Sequence, residues 1–515
     1  MGTLSAMKRT WVRALLGFVI LFGITALWAV TTPKYAAPDE PAHAVKAAAN
    51  VRGEFRGTPQ PADHIPYEAF TVPATLAQGN PACIAFQPEQ SAACLPRWTA
   101  QSGLTEALTY VGGYPPLYYL LVGLPTLVTN GKDVLFWMRL VSAALSSLFL
   151  AVGFVAASRI RRARWTVLGV AAAVTPMALF LASVVNPSGL EISAALATWT
   201  CALAAFASRE DPPPRGLVLW TAVSASVLVQ VRGLSPLLLA VIGLTVVGVT
   251  GWQPVLRVLR RRDGQIGAGI LAASSIFALV WIFAMGSLKL AGAGQPVAPN
   301  ASNWQIFTTA IRAVGLNMYQ LFGVFGWLDT NMPTWCYFAW EAICALLALA
   351  VLVRREFRLA VVIAGVVAVT ILLPTALASL EARKLGIVGQ GRYILPVAVG
   401  APILAGYAMS RRPRDRRARA RRLLVPALII GVTVGAVQVS GFVQALHRYR
   451  TGVNAPLFVR DTPWNPPIAP LLAVGLFVAL QAVFLWWWLS LPVSAGPENR
   501  ETPNTARTPL PAMGE

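Results

Sequence analysis

The chain has 515 residues, of which 56% are hydrophobic and only 12% are charged, and its formal net charge is +21. Soluble domains carry about 25% charged residues. This composition, with a mean hydropathy of +0.60, therefore excludes an ordinary soluble enzyme and is typical of a polytopic membrane protein. The positive charge could reflect nucleic-acid binding, anionic lipids or membrane topology, and its distribution along the chain has to decide between them.

Apolar runs of about 20 residues are long enough to cross a bilayer. Their number predicts an all-α polytopic membrane protein with about 12 transmembrane helices. The predicted spans are residues 11–31, 134–158, 165–184, 188–208, 216–232, 234–251, 267–290, 335–353, 359–378, 393–410, 423–442 and 468–490. The first run is too long for a signal peptide and lacks a small-residue cleavage site, so we expect it to remain as the first helix.

A shorter apolar run, residues 115–129, holds three prolines and decides the topology. If it lies at or dips into the outer interface instead of crossing, every strong basic cluster falls on one side, where the loops hold 24 basic and 5 acidic residues. Cytoplasmic loops carry such an excess. We therefore expect both termini in the cytoplasm, and we interpret most of the net charge as orientation rather than as a nucleic-acid signal.

On this topology the longest outer segment is residues 32–114. A structureless loop of that length would be unusual, so we predict a small, partly helical cap with a helix in Pro41–Phe55. A second interfacial helix is expected at Trp304–Phe322. Cys83 and Cys94 lie in the cap, outside the cytoplasm, where we predict a disulfide between them; the alternative is two unpaired loop thiols.

The domain organisation follows from these predictions. Residues 1–410 would form one transmembrane catalytic module that includes the cap and the interfacial helix. Residues 411–491 would add C-terminal transmembrane helices. Residues 492–515, rich in Pro, Thr and Glu, are predicted to be a disordered cytoplasmic tail.

The most informative stretch, Tyr35–Lys46, begins just beyond the first predicted span and contains Asp39 and Glu40. Asp39 is a candidate helix N-cap, and His43 and Lys46 would continue its helix face. One interpretation is a helix cap with a solvated face. The other is a carboxylate held at the bilayer surface as a general base, with a neighbour that binds substrate or metal.

Two further motifs lie near the predicted outer boundary. Tyr114-Pro-Pro-Leu-Tyr-Tyr119 opens the interfacial run, and its tyrosines either anchor the chain at headgroup level or line a groove for a lipid-borne ligand. Gln390-Gly-Arg392-Tyr393 stands at the outer mouth of a predicted span. Arg392 could grip a phosphate with two parallel hydrogen bonds, or it could snorkel to the interface.

Arg232 interrupts the apolar sequence between two predicted spans. A charge buried near a bilayer is costly and often functional; the alternative is a tight outer turn. Asp329 and Asn186 are secondary candidates at the same boundary.

These features resemble the GT-C superfamily of integral-membrane glycosyltransferases, which use lipid-linked sugar donors on the outer face of the membrane. The resemblance rests on an acidic pair in the first outer loop, an interfacial helix before the second span and an even run of helices. The motifs Pro38–His43, Tyr114–Leu117 and Gln390–Pro396 more specifically resemble a group of bacterial predicted membrane proteins of unassigned function.

The resemblance implies roles for individual residues. In such enzymes the first-loop acid is the catalytic base, which here is Asp39, with Glu40 as its partner or as a metal ligand. A basic residue near a late outer loop holds the donor phosphate, which here is Arg392. The other residues expected to bind substrate are His43, Lys46, Tyr114, Arg232, Asp329, Gln390 and Tyr393.

The cofactor stays open. Some members of the superfamily need a divalent cation such as Mg or Mn and others do not. No second carboxylate cluster is evident in the sequence, so any metal would be expected at Asp39, Glu40 and His43.

The function implied is transfer of a sugar, with inversion, from a polyprenyl-phosphate donor to a glycan or glycolipid acceptor of the cell envelope, in cell wall biogenesis at a bacterial plasma membrane. The expected partners are these substrates and membrane lipids. The main alternative is a secondary transporter or lipid flippase for an envelope precursor, and a structural assembly protein is the third. Transporters tend to show repeats and ionisable groups near the midplane, whereas the candidates here lie at the outer boundary.

Overall fold

The computed structural model describes residues 2–60, 67–160, 163–208, 213–288, 300–385, 389–411, 419–457, 459 and 461–491. The predicted tail, residues 492–515, lies outside the described residues.

A first membrane helix leads into a folded cap. The elements up to the interfacial run are α1 (Gly2–Thr31), α2 (Glu40–Asn50), β1 (Thr58–Pro59), β2 (Glu68–Pro73), α3 (Ala74–Ala77), a 3₁₀ turn (Ala92–Cys94), β3 (Leu104–Thr109), α4 (Leu117–Val122) and α5 (Pro125–Val128). The helix predicted in Pro41–Phe55 is confirmed as α2. The interfacial run forms the two short helices α4 and α5.

The cap also contains a sheet, which the all-α prediction misses. Its three strands pair antiparallel in the order β1-β2-β3, with Glu68 opposite Thr109. Phe70 and Val72 of β2 are buried in the main hydrophobic core. Cys83 and Cys94 form the predicted disulfide, with their Cα atoms 6.1 Å apart.

The middle of the chain forms the core of the helical bundle. Its helices are α6 (Val134–Ser158), α7 (Arg164–Ala173), α8 (Pro176–Ala182), α9 (Pro187–Phe206), α10 (Arg215–Val229), α11 (Ser235–Thr250), α12 (Trp252–Leu259) and α13 (Arg262–Met285). Helix α9 is almost completely buried because α6, α8, α10 and α11 pack around it. Its many Ala, Ser and Gly residues permit this close packing.

The last part of the chain closes the bundle. It contains α14 (Asn303–Arg312), α15 (Val314–Phe322), β4 (Val324–Phe325), β5 (Thr330–Asn331), α16 (Thr334–Val353), α17 (Phe357–Leu385), a 3₁₀ turn (Gly391–Tyr393), α18 (Leu395–Ala398), α19 (Gly400–Arg411), α20 (Arg419–Thr451) and α21 (Pro470–Ser490). The helix predicted at Trp304–Phe322 is present as α14 and α15. Helix α21 packs on α1, where the Trp487 indole donates to the carbonyl of Arg13 at 3.2 Å.

Within the described residues, eight helices are long and apolar enough to cross a membrane, or ten if two bent pairs each count as one span. The bent pairs are α7 with α8, at 66°, and α11 with α12, at 107°. The structure thus supports eight to ten spans rather than twelve. Helix α10 has only 15 residues, a rise of about 22 Å, and the predicted span 393–410 is broken into a turn and two short helices.

Candidate functional site

The segment between α1 and α2 carries two residues in the left-handed backbone region, Tyr35 with φ 62° and Asp39 with φ 61°. Non-glycine residues adopt this conformation only when their surroundings fix it. Tyr35 donates from its hydroxyl to the carbonyl of Leu76 at 2.8 Å, and Asn186 donates from its side-chain amide to the carbonyl of Pro38 at 2.9 Å. The backbone that presents Asp39 is therefore held from both sides.

Asp39 stands at the N-cap position of α2, but its side chain makes no capping hydrogen bond. The capping role expected from the sequence is wrong, because the carboxylate points to groups on other segments. Its Oδ2 accepts from Nη2 of Arg392 in an ion pair, and its Oδ1 accepts from the hydroxyl of Tyr110.

Arg392 is held from several directions. Nε donates to Oε1 of Gln390 at 2.7 Å, and Nη2 reaches the Tyr393 hydroxyl at 3.3 Å as well as Asp39. Nη1 is buried and has no hydrogen-bond partner among the described residues. The Arg392 side chain is 1% exposed, whereas that of Asp39 is 21% exposed. The pair is thus reachable from its carboxylate side.

The turn that carries Arg392 packs directly on α15. The amide of Gly391 donates to Oε1 of Gln320 at 2.8 Å. A Cβ atom at position 391 would lie 2.1 Å from the carbonyl oxygen of Asn317. Only glycine fits this approach, which fixes where the following arginine emerges.

A second ion pair lies beside the first. Nη1 of Arg232 is 3.6 Å from Oε2 of Glu191 and 3.2 Å from the hydroxyl of Ser188. Ser235 donates to the other Glu191 oxygen at 2.7 Å. The Arg232 guanidinium lies 4.2 Å from the centre of the Tyr393 ring, and that of Arg392 lies 5.1 Å from the same ring. Tyr393 thus lies in contact with both cations.

His43 completes the arrangement on α2. Its Nδ1 shares a hydrogen bond of 2.9 Å with the hydroxyl of Tyr119. Its ring centre lies 6.1 Å from that of Tyr114, which in turn lies 5.8 Å from the guanidinium of Arg232. We call the whole set the Asp39–Arg392 cluster. Its members are Asp39, His43, Tyr110, Tyr114, Tyr119, Glu191, Arg232, Gln390, Arg392 and Tyr393.

Burial and neighbouring charges in the cluster shift the pKa values of Asp39, His43 and Tyr110. Burial would raise the pKa of Asp39, but Arg392, His43 and the hydrogen bonds from Tyr110 and Arg392 outweigh it and lower that pKa to about 2. Burial lowers the pKa of His43 to about 3 despite the opposing effect of Asp39. Burial and Asp39 raise the pKa of Tyr110. At neutral pH the site therefore holds a carboxylate, a neutral imidazole and a protonated phenol.

Glu40 has a different environment from its neighbour. It forms a two-pronged ion pair with Arg139 of α6, at 2.7 Å to Nε and 2.6 Å to Nη2, and both side chains are sealed from solvent. Arg139 also donates to the carbonyl groups of Ala29, Thr32 and Pro33. Glu40 therefore ties α2 to α6, and its expected role as catalytic partner or metal ligand stays a prediction.

Lys46 and Asp329, also expected at the site, have other partners. Lys46 donates to the carbonyl of Phe55 at 2.8 Å and lies over the Phe70 ring, and burial lowers its pKa to about 8. Asp329 lies 3.4 Å from Nη2 of Arg448. That arginine also donates to carbonyl groups of the disulfide loop, those of Ile84, Gln87 and Gln90.

The suggested metal set does not come together. In the part of the chain that the structure describes, no three His, Cys, Asp or Glu side chains are grouped so that they could hold a metal ion. Glu40 is occupied by Arg139 and His43 by Tyr119. The described side chains at Asp39 therefore supply no three-ligand metal site, and the expectation of a divalent cation stays a prediction.

Sequence reasoning missed three contributors: Tyr110, Glu191 and Arg139. Tyr110 supplies a hydroxyl group to Asp39, and Glu191 balances Arg232. Tyr119, which belongs to the Tyr114–Tyr119 motif, shares a hydrogen bond with His43. Arg139 lies within the predicted span 134–158 and was not identified as a candidate. The single charges at positions 139 and 191 in apolar runs were the available signal, since charges inside such runs are rare without a partner.

A comparison with protein families places the chain. The model of the family described as "Predicted membrane protein (DUF2142)" matches residues 22–401, a stretch that includes every member of the Asp39–Arg392 cluster. The chain belongs to this family. No curated protein and no solved structure is significantly similar to the chain. This DUF2142 member is therefore a multi-pass membrane protein, and its activity has to be argued from the cluster itself.

Proposed function

We propose that this DUF2142 protein is a glycosyltransferase of the GT-C kind. It would move a sugar from a polyprenyl-phosphate donor to a cell-envelope acceptor, with inversion, on the outer face of a bacterial plasma membrane. The observation that carries the proposal is the ion pair between Asp39 and Arg392. It joins a candidate base and a candidate phosphate ligand, 353 positions apart in the chain, within a partly exposed cluster.

Arg392 is the donor-phosphate ligand in this proposal. Its guanidinium is oriented by Gln390 and has one buried nitrogen, Nη1, without a partner among the described residues. Guanidinium groups bind phosphate through two parallel hydrogen bonds. Arg232, which contacts the same Tyr393 ring, adds a second cation. Cations fixed in place before reaction stabilise the charge that develops on a leaving phosphate.

Asp39 is the base. The acceptor hydroxyl oxygen attacks the anomeric carbon of the donor sugar, and Asp39 takes the hydroxyl proton as the new bond forms. The bond from the anomeric carbon to the phosphate oxygen breaks, and its electron pair leaves with the polyprenyl phosphate. Attack from the side opposite the phosphate inverts the anomeric configuration.

The position of the cluster supports the outer-face assignment. Asp39 lies in the segment between α1 and α2, and α1 carries Arg9 and Arg13 towards its other end. If these basic residues face the cytoplasm, as the positive-inside rule favours, the other end of α1 and the cluster lie outside. This is also the side on which envelope acceptors are exposed.

An apolar groove offers a place for the polyprenyl chain. It lies between α5 and α6 and is lined by Pro125, Val128, Trp137, Val141 and Leu145. Helix α4, which carries Tyr119 of the cluster, leads directly into α5. A lipid carrier in this groove would therefore lie beside the segment that contributes to the cluster.

The test is transfer from purified polyprenyl-phosphate sugars to envelope acceptors by the full chain in proteoliposomes. General base catalysis is worth about 10²–10⁴-fold, so Asp39→Asn should lower the rate by that factor. The matched control is Asp133→Asn, because Asp133 is 60% exposed and pairs only loosely with Lys34, at 3.7 Å. Wild-type rates in Asp39→Asn would overturn the assignment. Movement of the intact lipid-linked sugar across the bilayer without transfer would favour the flippase alternative.

A further inference from the structure

The Asp39–Arg392 pair raises a difficulty for the proposed glycosyl transfer. A base in a direct ion pair is weak, since the pKa of Asp39 is lowered to about 2. A phosphate ligand also needs the guanidinium that this carboxylate occupies. Both difficulties have the same origin, because Asp39 and an incoming phosphate would bind the same nitrogen, Nη2 of Arg392.

We propose that Asp39 occupies the anion site of Arg392 in the resting protein, and that a phosphate ester displaces it and thereby releases the carboxylate to act as the base. This proposal rests on the glycosyltransferase function proposed for the same site. The ligand class is a phosphate monoester or diester anion. Free phosphate and a phosphate on a lipid share the chemistry that this site recognises.

The hydrogen-bond pattern of Arg392 shows where the phosphate would bind. Nε is occupied by Gln390 and Nη2 by Asp39, whereas Nη1 is buried without a partner among the described residues. A phosphate that enters from the more exposed carboxylate side meets Nη2, and Nη1 offers the second donor of a two-pronged contact once Asp39 has left. Displacement of the carboxylate is thus part of binding.

The exchange keeps the positive charge of the buried Arg392 guanidinium compensated, and the carboxylate that it frees is the more exposed partner. Removing one partner of a buried ion pair is strongly unfavourable because it leaves a buried charge. A phosphate diester carries one negative charge, so it restores the balance that Asp39 supplied. A neutral ligand cannot do so, and it should leave the pair closed.

The released carboxylate keeps a defined position. Its Oδ1 accepts from Tyr110, whose hydroxyl bond does not depend on Arg392. Asp39 is also the more exposed partner of the pair, at 21% against 1%. Without its guanidinium partner the carboxylate becomes a stronger base. Donor binding would therefore activate the base in the presence of substrate.

A competing carboxylate and a simple catalytic base respond differently to removal of the Asp39 charge. Asp39→Asn removes the charge that competes for Arg392, so the variant should bind phosphate more tightly while it loses turnover. The strength of a hydrogen bond to a charged group corresponds to about a tenfold or larger change in affinity, so we expect a gain of that size in the phosphate affinity of Asp39→Asn. Arg392→Gln should abolish binding, and Asp133→Asn should bind like the wild type.

The experiment measures binding without acceptor, by titration calorimetry of the full chain in nanodiscs. The probes are farnesyl phosphate, inorganic phosphate and farnesol. Tighter binding of farnesyl phosphate to Asp39→Asn, with farnesol unchanged, is the expected result. A matching gain for inorganic phosphate would support a site for phosphate from any source, and a gain limited to farnesyl phosphate would support a lipid-borne one. Equal or weaker farnesyl phosphate binding to Asp39→Asn would overturn the inference.

A measurement on the wild type covers the case in which Asp39→Asn does not fold. In protein labelled with ¹³C-aspartate, farnesyl phosphate should shift a carboxylate band in the infrared difference spectrum, and farnesol should not. An unchanged spectrum would contradict displacement. Different results would contradict the glycosyltransferase function and the displacement of Asp39 by phosphate. Tighter binding without any sugar transfer would refute the proposed function alone, and Asp39-dependent transfer with equal binding would refute this inference alone.

Discussion

Glu40→Gln tests whether the second acid of the pair is an anchor or a catalyst. The Glu40 carboxylate accepts from Nε and Nη2 of Arg139 at 2.7 and 2.6 Å, from the Tyr35 amide at 3.1 Å and from the Val185 amide at 3.0 Å. All four donors point at two oxygens of a fully buried group. Glutamine keeps the shape but turns one oxygen into an NH₂ donor, which must then face two other donors.

The loss in free energy of unfolding that we expect for Glu40→Gln follows from the burial of the Glu40–Arg139 pair. The variant leaves the Arg139 guanidinium without a counter-charge, and breaking a buried pair by removing one partner costs about 3–5 kcal/mol. Whole proteins are stable by only about 5–15 kcal/mol. We therefore expect a much lower unfolding midpoint and a lower yield of folded protein. The assay is thermal unfolding of the detergent-solubilised protein, with Asp133→Asn as the control.

A double variant sharpens the test. Replacing Arg139 with Met in the Glu40→Gln background removes the uncompensated charge, and neutral replacements of buried ion pairs are often tolerated. Part of the lost stability should return. If Glu40→Gln were as stable as the wild type and yet inactive, Glu40 would belong to the reaction and its assignment as an anchor would be wrong.

Two further predictions concern the cluster. The pKa of His43 is lowered to about 3 from its ordinary value of 6.5. Between these two values the unfolded chain binds a proton at His43 and the folded protein does not. The free energy of unfolding should therefore fall as the pH drops from about 6.5 towards 3. His43→Gln should flatten that slope, measured from unfolding midpoints between about pH 6.5 and 4.5, and an unchanged slope would contradict a buried neutral imidazole. Gly391→Ala should weaken phosphate binding, because the new Cβ meets the Asn317 carbonyl oxygen at 2.1 Å, whereas Gly389→Ala meets its nearest atom at 3.4 Å and should bind normally. Equal binding by the two alanine variants would show that the turn does not position Arg392.

The long membrane helices could be predicted from the sequence because hydropathy over about 20 residues reports directly on length and polarity. What hydropathy does not report is where the backbone breaks. Residues 165–184 form one apolar run, yet Thr175 caps a new helix that starts at Pro176 and turns by 66°. The run 393–410 contains Pro396, Gly400 and Pro402, and its helices are correspondingly short. Average polarity overestimates the number of spans wherever prolines divide a run.

The strands of the cap were missed for a different reason. Glu68–Pro73 and Leu104–Thr109 are six residues each, and they lie in a long polar segment without a strong two-residue alternation. Their pairing is set by the tertiary contacts of Phe70 and Val72 with the core. Nothing local in the sequence specifies those contacts, so strand existence and register could be found only from the folded chain.

Motif reasoning brought together Asp39, His43 and Arg392, but it could not distinguish Asp39 from Glu40. Adjacent residues at a helix start point in different directions, and the left-handed backbone of Asp39 increases the divergence. One carboxylate is sealed against α6, and the other reaches the turn at position 392. The two neighbouring acids therefore have different contacts: Glu40 ties the start of α2 to α6, and this anchored backbone carries Asp39 to its ion pair with Arg392.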